Sequence, residues 1–244
     1  MSRNELKDTQ RKTFDFSTTD QNRGVPMPPV QKPVDKRATR IDLPDPNAGI
    51  FEISLKDAIA RRKSWRTFLQ DPVSIEELSF LLWATQGVRD SSNMKRIFRT
   101  VPSAGNRHAF ETYLAVFDVE AVPKGLYRYL PLDHALAEVQ HLPDLKEKVS
   151  KGCLGQDFVK KSAVTFIWTT VPYRMEWRYG EVSHKVIALD AGHVCQNLYL
   201  ACEAIKCGTC AIGAYDQELM DSLLNVDGEE EFVIYIAPVG RVRP

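Results

Sequence analysis

The longest regular pattern in this 244-residue chain lies near its C-terminal end. In the stretch KVIALDAGHVCQNLYLACEAIKCG, apolar residues recur every three or four positions, which places them along one side of an α-helix. These residues are Ile187, Ala191, Val194, Leu198, Ala201 and Ile205. A helix of this length with such an apolar side has to pack against an equally long surface, because the side would otherwise face water. The chain is long enough for one large domain, and we predict one.

Shorter patterns predict three further helices. Ser54 can cap a helix SLKDAIARR, in which Leu55 and Ile59 lie on one side. Ser74 and Glu77 form a capping-box pattern at the start of SIEELSFLLWATQG. The stretch ELMDSLL predicts a short helix closer to the C-terminus.

Runs of β-branched and aromatic residues predict the strands. They occur at TYLAVFDV, SAVTFIWTTV and FVIYIAPVG, and the second is apolar enough to be buried on both faces. GLYRYLPLDHALAEV predicts two short strands around a turn. Since strands and long helices do not alternate regularly, we predict an α+β fold rather than a doubly wound sheet.

The first part of the chain has a different composition. Residues 1–48 are rich in charge and proline around GVPMPPVQKPVDK, which favours extended backbone over packed elements. We predict an extended, proline-rich arm over residues 1–48 and one domain over residues 49–244. Phe14, Phe16 and Met27 can lay the arm over a neighbouring surface, and disorder is the alternative.

The charge balance favours a small ligand. Lys plus Arg and Asp plus Glu both number 32, so no basic excess indicates a nucleic-acid or membrane partner. The N-terminal MSRNELKDTQRKTFDF lacks the apolar run of a secretory signal, and no segment approaches the roughly 18 apolar residues of a membrane span. We therefore expect a cytoplasmic protein that acts on a small molecule.

The cysteines do not form the pattern of a secreted disulfide framework, and we expect reduced thiols. Cys207 and Cys210 form a CxxC, which zinc and redox sites also use. Cys195 and Cys202 are seven residues apart on one predicted helix, about 10 Å along its axis, so they cannot join one tetrahedral site. We predict that all five, including Cys153, are buried structural thiols, and we predict no metal site.

The stretch RRKSWRTF, residues 61–68, places Arg61, Arg62, Lys63 and Arg66 around Ser64. The sequence has no glycine-rich phosphate loop, so a bound phosphate would be held by side chains. Guanidinium groups bind phosphate oxygens bidentately, and a serine hydroxyl adds a neutral donor. Basic side chains also suit the negative end of a helix dipole. On these residues alone, a phosphate site and a solvated helix end both stay open.

Two segments of small residues can bring backbone close to a flat ligand. TVPSAGNRH contains Ser103 and Gly105, followed by the amide of Asn106, which can donate and accept hydrogen bonds. GTCAIGAYD exposes backbone N–H groups around Gly213. Ordinary turns are the alternative for both segments.

Taken in order, six segments resemble the nitroreductase superfamily of flavin enzymes: RRKSWRTF, LLWATQGV, RTVPSAGNRH, GLYRYLPLDHAL, ALDAGHVCQNLYLACEAIKCGTCAIGAYD and IAPVGRVRP. The chain is similar to the branch that includes azoline dehydrogenases of thiazole- and oxazole-forming peptide pathways. The resemblance runs from about residue 50 to the end, and TDQNRGVPMPPVQKPV resembles that branch too. It implies a nitroreductase-like α+β sandwich with a central, mostly antiparallel sheet flanked by helices. It also implies a homodimer with an FMN site near each subunit interface.

The resemblance implies roles for individual residues. Arg62, Lys63 and Ser64 would meet the FMN phosphate and ribityl chain, with Arg66 nearer the pyrimidine end of the ring. Gly213 would place its N–H near flavin N5. The remaining FMN contacts implied are Pro102, Ser103 and Asn106 along the flavin, Ala211 and Ile212 beside Gly213, and Arg241 and Arg243 at the phosphate.

The activity implied is that of an FMN-dependent oxidoreductase. NADH or NADPH would reduce FMN, and a nitroaromatic, quinone or similar acceptor would then take the electrons. Reduced flavin is an anion, so a cation such as Arg66 would stabilise it. A flavin- or nucleotide-binding protein without turnover is an alternative of a different class.

A second enzymatic alternative is an azoline-type dehydrogenase that oxidises a peptide or small molecule. Azoline dehydrogenases resemble one another in a Lys-Tyr pair for proton removal, and the matching EWRYG has Arg178 before Tyr179. An arginine stays protonated and cannot act as a base. Tyr179 is the catalytic candidate, either as a proton donor or on the substrate side.

Overall fold

The computed structural model describes residues 7–48, 50, 52–90 and 97–243. Its strands are β1 (Arg40–Asp42), β2 (Val88–Asp90), β3 (Phe98–Arg99), β4 (Phe110–Val116), β5 (Gly125–Leu130), β6 (Ala135–Gln140), β7 (Val164–Thr170), β8 (Cys207–Thr209) and β9 (Phe232–Arg241). Seven of them form one sheet in the order β1-β6-β5-β4-β7-β9-β8, with antiparallel pairing throughout. β2 and β3 pair separately as a hairpin.

Helices cover both faces of this sheet. They are α1 (Leu55–Arg61), α2 (Ile75–Gln86), α3 (Leu145–Gly152), α4 (Tyr173–Tyr179), α5 (His184–Ala204) and α6 (Gln217–Leu224). Side chains of α2 and α5 share one apolar cluster with the sheet, and side chains of α3 and α6 share a second cluster on the other face. The predicted α+β sandwich with a central antiparallel sheet is confirmed.

Strand β7 separates the two clusters. Phe166 and Trp168 pack with α2 and α5, whereas Ile167 points into the cluster of α3 and α6. Successive strand residues point to opposite faces, so a strand between two helix layers has to be apolar at nearly every position. The prediction that this strand is buried on both faces is confirmed.

The helix that dominates the sequence pattern lies in the first cluster. All six apolar residues of its predicted side are buried there, and α5 packs against α2, β8 and β9. The predicted capping box of α2 is also present, with both Ser74–Glu77 hydrogen bonds formed. In α1, however, only Ala58 is buried, and the predicted apolar side leaves Leu55 66% and Ile59 56% exposed.

The predicted N-terminal arm is packed onto the rest of the chain. Its last part forms β1, which adds an edge strand to the sheet beside β6. Farther upstream, Trp177 Nε1 donates to the Val25 carbonyl at 2.9 Å, and Tyr173 donates to Asp20 at 2.8 Å. Side chains of α4 thus fix the path of this part of the chain.

A buried charge cluster anchors the arm at Lys32. The Glu111 carboxylate on β4, 2% exposed, binds Arg174 of α4 and lies 3.7 Å from Arg128 of β5. It also accepts the Lys32 backbone N–H at 2.8 Å, while Arg128 donates to the Pro33 carbonyl at 2.7 Å. Buried charges are tolerated only when paired and hydrogen-bonded, so this cluster ties the sheet, α4 and the arm together.

Glu111→Gln should destabilise the fold. The substitution keeps the side-chain shape but leaves Arg128 and Arg174 without a neutralising partner, so we expect the free energy of unfolding to fall by about 3–5 kcal/mol in urea denaturation. Glu147→Gln is the control, since this glutamate is 70% exposed and pairs with Lys160 at the surface. We expect it to change stability by less than about 0.5 kcal/mol. An unchanged unfolding midpoint for Glu111→Gln would contradict the anchoring role.

Candidate functional site

Tyr199 on α5 joins two of the segments singled out in the sequence. Its hydroxyl lies 3.0 Å from Ser64 Oγ and accepts the Ala211 backbone N–H at 2.9 Å. An arrangement in which Tyr199 donates to Ser64 leaves the serine O–H free to donate outward. The RRKSWRTF segment and the AIG loop therefore meet at one place beside α5.

The cations of this segment lie on aromatic faces. The Arg62 guanidinium is 5.3 Å from the Tyr199 ring centroid, and Lys63 Nζ is 3.9 Å from that of Trp65. Within the described residues, neither side chain has a carboxylate oxygen inside 4.0 Å. Glu203 is the acidic neighbour: burial raises the pKa of its carboxyl, while Arg61, Arg62 and Lys63 act in the opposite direction. Three cations thus face one carboxylate, and an anion is favoured there.

The AIG loop is held rigidly on its inner side and open on its outer side. Ile212 exchanges two backbone hydrogen bonds with Ile236 of β9, at 2.7 and 3.2 Å. A Cβ built on Gly213 would meet nothing within 4 Å, so its backbone faces open space. Arg66 is also exposed. A flat ligand can therefore approach the backbone of Gly213 closely.

The two C-terminal arginines differ in what they contact. Arg241 donates to both Glu77 oxygens, at 2.7 and 2.6 Å, and to the carbonyls of Pro72 and Ile205. Four of its five N–H groups are thereby used inside the protein. These hydrogen bonds brace the end of β9 against α2, and the phosphate contact of Arg241 stays a prediction. Arg243 is exposed.

The PSAGN segment forms a second group of candidate residues. Residues 104–106 make a short helical turn, and the Ala104 N–H donates to Asp190 of α5 at 3.0 Å. Ser103 Oγ accepts the His108 N–H at 2.9 Å. Pro102, the first residue of the motif, is exposed.

Asn106 presents a buried amide with unused hydrogen-bonding capacity. Its Oδ1 lies 2.8 Å from His108 Nε2, and its Nδ2 is buried without a hydrogen-bond partner among the described residues. Burial of such a donor is unfavourable unless something else satisfies it. Asn106 also lines a cavity of about 850 Å³, so the unpaired amide lies in the wall of a cavity.

Tyr179 lies next to this segment. A Cβ built on Gly105 would come within 2.4 Å of the Tyr179 hydroxyl and 2.7 Å of Arg178 Nε, so a larger residue would have to displace these side chains. Gly105 also has a positive φ of 58°, which favours glycine. The Arg178-Tyr179 pair and Asn106 therefore form one wall of the same region.

The two groups of candidate residues lie on opposite sides of α5 in one chain. Asp190 binds the PSAGN turn and Tyr199 binds Ser64 and Ala211. These two positions are nine residues apart, which is about 14 Å along a helix and half a turn around it. Tyr199 and Asp190 carried no sequence signal of their own, because each is one polar residue in a long helical pattern.

Three further findings concern the cysteines, metal binding and membrane spans of the described residues. All five cysteines are buried free thiols, as predicted. No group of three or more His, Cys, Asp or Glu side chains in the described chain is arranged to hold a metal ion. None of the described helices combines the length and apolar character that crossing a bilayer requires.

A comparison with known families decides what kind of protein this is. Residues 59–241, most of the chain, match the model of the nitroreductase family. The chain belongs to the nitroreductase family. It is therefore an oxidoreductase of a family that is generally flavin-dependent, and the resemblance found in the sequence is confirmed.

Two relatives of this nitroreductase-family chain differ in their descriptions. The protein named Putative nitroreductase MJ1384, from Methanocaldococcus jannaschii, is 33% identical over 202 residues, which are 82% of this chain and 96% of that protein. The trifolitoxin-processing protein TfxB, from Rhizobium leguminosarum bv. trifolii, is 27% identical over 169 residues. That match covers 65% of this chain but only 45% of TfxB.

Solved structures share the nitroreductase-family fold. One from Ralstonia eutropha JMP134, described as a nitroreductase in the same terms as MJ1384, has a TM-score of 0.66 at 27% identity and covers 90% of this chain and 99% of that one. A chain of the E. coli microcin synthetase McbBCD complex with truncated pro-MccB17 has a TM-score of 0.63 at 18% identity. It covers 81% of this chain and 77% of that chain, and shows the fold alone.

His108, which contacts Asn106, should make stability depend on pH. Burial lowers the pKa of its imidazole to about 3, and nearby Arg99 adds to this effect. In the unfolded chain the pKa is about 6.5, so the native contribution is complete above pH 6.5 and is lost as the pH falls toward 3. His108→Asn should reduce the slope of the unfolding free energy between pH 6 and 4 by about 1.4 kcal/mol per pH unit.

Asparagine is chosen because His108 has a positive φ of 49°, which asparagine tolerates. Urea titrations at each pH give the slope. The control is His141→Asn at an exposed position. If wild type and His108→Asn had equal slopes, His108 would not be the buried neutral group that the structure shows.

Proposed function

We propose that this chain is an FMN-dependent oxidoreductase of nitroreductase type. It would take hydride from NADH or NADPH and pass electrons through FMN to a nitroaromatic, quinone or similar acceptor. The observation that carries the proposal is the Tyr199 hydroxyl, which brings the cationic Arg62–Ser64 segment and the open backbone of Gly213 to one place. Family membership supports the same conclusion.

The residues around Ser64 fit a phosphate group. Arg62 and Lys63 would supply charge, and the Ser64 hydroxyl would donate a hydrogen bond. Arg243 is exposed and would be the C-terminal arginine available to the same group, because Arg241 is engaged by Glu77. The charged ends of Arg62 and Lys63 lie on aromatic rings, and this contact leaves their N–H donors free for a ligand.

The residues farther along the site fit a flat ring. The Ala211–Gly213 backbone would lie beside it, with the Gly213 N–H directed to its central nitrogen. Asn106, with Pro102 and Ser103, would line the other side, and its unpaired Nδ2 would gain a hydrogen-bond partner.

FMN would supply the hydride-accepting and hydride-donating chemistry when bound. The protein residues would bind and orient it and stabilise negative charge. Arg66, an exposed residue of the RRKSWRTF segment, would stabilise the anionic reduced form. Tyr179 would donate a proton or line the substrate side.

The separation of the two groups of residues supports a homodimer. Each chain carries Tyr199 and Asp190 on opposite sides of α5, so a site that uses both groups needs a second copy. The exposed Leu55 and Ile59 of α1 and Leu189 of α5 offer an apolar surface for that copy. A groove of about 380 Å³ between α1, α2 and α5 continues this surface. A two-fold dimer would then contain two composite sites.

An azoline-type dehydrogenase acting on a peptide or small molecule is the second candidate. The similarity to the trifolitoxin-processing protein TfxB favours it. Arg178 precedes Tyr179 on α4, and an arginine cannot remove a proton. We therefore rank this activity second and keep the cytoplasm as the proposed compartment for either.

Flavin reduction tests the proposed function directly. Protein reconstituted with FMN should turn yellow, and anaerobic NADH or NADPH should bleach it, because FMN accepts the hydride. Absorbance in the visible range measures both steps, and addition of a nitroaromatic should restore the colour. A protein that stays colourless with FMN would refute both enzymatic candidates. A yellow protein that neither nucleotide bleaches would favour the dehydrogenase.

Arg62→Ala should weaken FMN retention. Loss of one charged hydrogen-bonding group from a phosphate site should lower affinity about tenfold or more, measured by fluorescence titration with FMN. Arg61→Ala is the matched control, since Arg61 adds to the positive charge around Glu203 but is the neighbouring arginine for which we propose no ligand contact. Equal affinities of Arg62→Ala and wild type would refute the phosphate assignment.

Mixed dimers test whether one site draws on two chains. Arg62→Ala and Asn106→Ala should each retain FMN poorly, but co-refolding them should restore about a quarter of the intact sites, because half of the dimers are mixed and each of those has one intact site. Light scattering should show a dimer. No recovery on mixing, or a monomer, would refute the composite site.

A further inference from the structure

The cavity of about 850 Å³ beside Asn106 has walls of two kinds. Much of the wall is apolar and comes from three parts of the chain: Met27 of the arm, Phe98 of β3 and Trp177 of α4. The polar part includes two arginines, Arg107 and Arg178. A pocket with apolar walls and a few placed polar groups is the usual form of a small-molecule site.

The two arginines have no acidic partner among the described residues. Arg107 is 9% exposed, and its Nε donates to the Gly105 carbonyl at 3.0 Å while its guanidinium lies 5.2 Å from the Trp177 ring centroid. Arg178 donates to Gln21 Oε1 at 3.2 Å. Within the part of the chain that the structure describes, no carboxylate oxygen lies within 4.0 Å of either guanidinium. Among the described residues, both groups thus contact neutral atoms and aromatic faces.

The positive charges of Arg107 and Arg178 repel each other. Burial lowers the pKa of Arg107, and the positive charge of Arg178 lowers it further. Arg174, by contrast, is buried beside the Glu111 carboxylate, which neutralises it. Arg107 is buried and Arg178 is half-buried, and neither has a carboxylate beside it among the described residues. Two such cations at one cavity are costly, and an anion that binds between them relieves the cost.

We propose that Arg107 and Arg178 form a carboxylate-binding site, so that the electron acceptor is an organic acid with an aromatic or aliphatic body. Planar guanidinium groups match a carboxylate in geometry and charge. The acid group would fix the orientation of the molecule, and Met27, Phe98 and Trp177 would cover its apolar body. The naming of this molecule as the acceptor rests on the proposed function; the anion site itself rests on the two arginines.

The apolar walls favour such an acid over the phosphates of a nucleotide. A sugar-phosphate chain presents polar surface along its length, and Met27, Phe98 and Trp177 would desolvate it without hydrogen bonds in return. The Arg62–Ser64 segment suits a phosphate better, because its cations Arg62 and Lys63 have no carboxylate partner among the described residues. Arg178, which cannot act as a base, thereby has a role in selecting the substrate.

A matched pair of probes tests the site. 4-Nitrobenzoate and 4-nitrobenzamide have nearly the same shape but differ in charge, and calorimetric titration of the FMN-loaded protein measures their binding. We expect wild type to bind the carboxylate about tenfold to a hundredfold more tightly. Arg107→Gln and Arg178→Gln should each reduce that preference about tenfold or more. Arg178→Glu should instead favour the cation 4-nitrobenzylammonium.

Arg23→Gln is the control, since Arg23 is a 68% exposed arginine of the arm and its loss changes the net charge equally. It should keep the preference for the carboxylate. Equal binding of both probes by wild type, or an unchanged preference in both Arg107→Gln and Arg178→Gln, would overturn the proposal. A changed KM for NADH or NADPH with unchanged 4-nitrobenzoate binding would also overturn it, in favour of the nucleotide.

The titration separates this proposal from the proposed function, because it needs no flavin reduction. A protein that prefers the carboxylate but is not bleached by either nucleotide keeps the anion site and loses the proposed function. A protein that is bleached but shows no preference keeps the function and loses the site. The return of the yellow colour to the reduced protein can be compared after addition of 4-nitrobenzoate and of 4-nitrobenzamide. A faster return with 4-nitrobenzoate would show that the bound acid is also the acceptor.

Discussion

The buried carboxylate of Glu111 holds together the parts of this protein that surround the proposed substrate cavity. It binds Arg174 of α4, faces Arg128 of β5 and accepts the Lys32 N–H of the arm. Helix α4 carries Trp177 and Arg178, and the arm carries Met27, so one ionic centre positions two parts of the cavity wall. A charge buried this deeply has few alternative arrangements, and this gives an otherwise proline-rich segment a defined path.

Helix α5 divides the remaining candidate residues. Its apolar side is buried against α2 and the sheet, which fixes the rotation of the helix. Once that rotation is set, Asp190 has to face the PSAGN turn and Tyr199 has to face Ser64 and the AIG loop. The same packing that forms the core therefore separates the two groups of residues within a chain, and this separation is the physical basis for proposing a site shared between two copies.

The structure gives two arginines, Arg241 and Arg178, contacts that the sequence does not indicate. Arg241 stands near the C-terminus in a sequence context that implies a phosphate contact, and the register of β9 beside β8 brings it to Glu77, which accepts a hydrogen bond from each of its two terminal nitrogens. In the sequence, Arg178 precedes Tyr179 at the place of a lysine in azoline dehydrogenases, and an arginine cannot act as a base. In the structure it stands with Arg107 at an apolar cavity without an acidic partner among the described residues, and it becomes a candidate for recognising a carboxylate.

The sequence by itself determined the α+β class, the capped helix α2, the doubly buried strand β7 and the long apolar side of α5, because hydrophobic spacing and capping are local properties of the chain. The order of its small motifs also led to the family. Only the tertiary structure decided that Tyr199 joins Ser64 to Ala211, that the arm adds β1 to the sheet, and that Arg107 and Arg178 share one cavity. These facts depend on contacts between residues far apart in the chain, and no local pattern specifies which distant partner a polar side chain will meet.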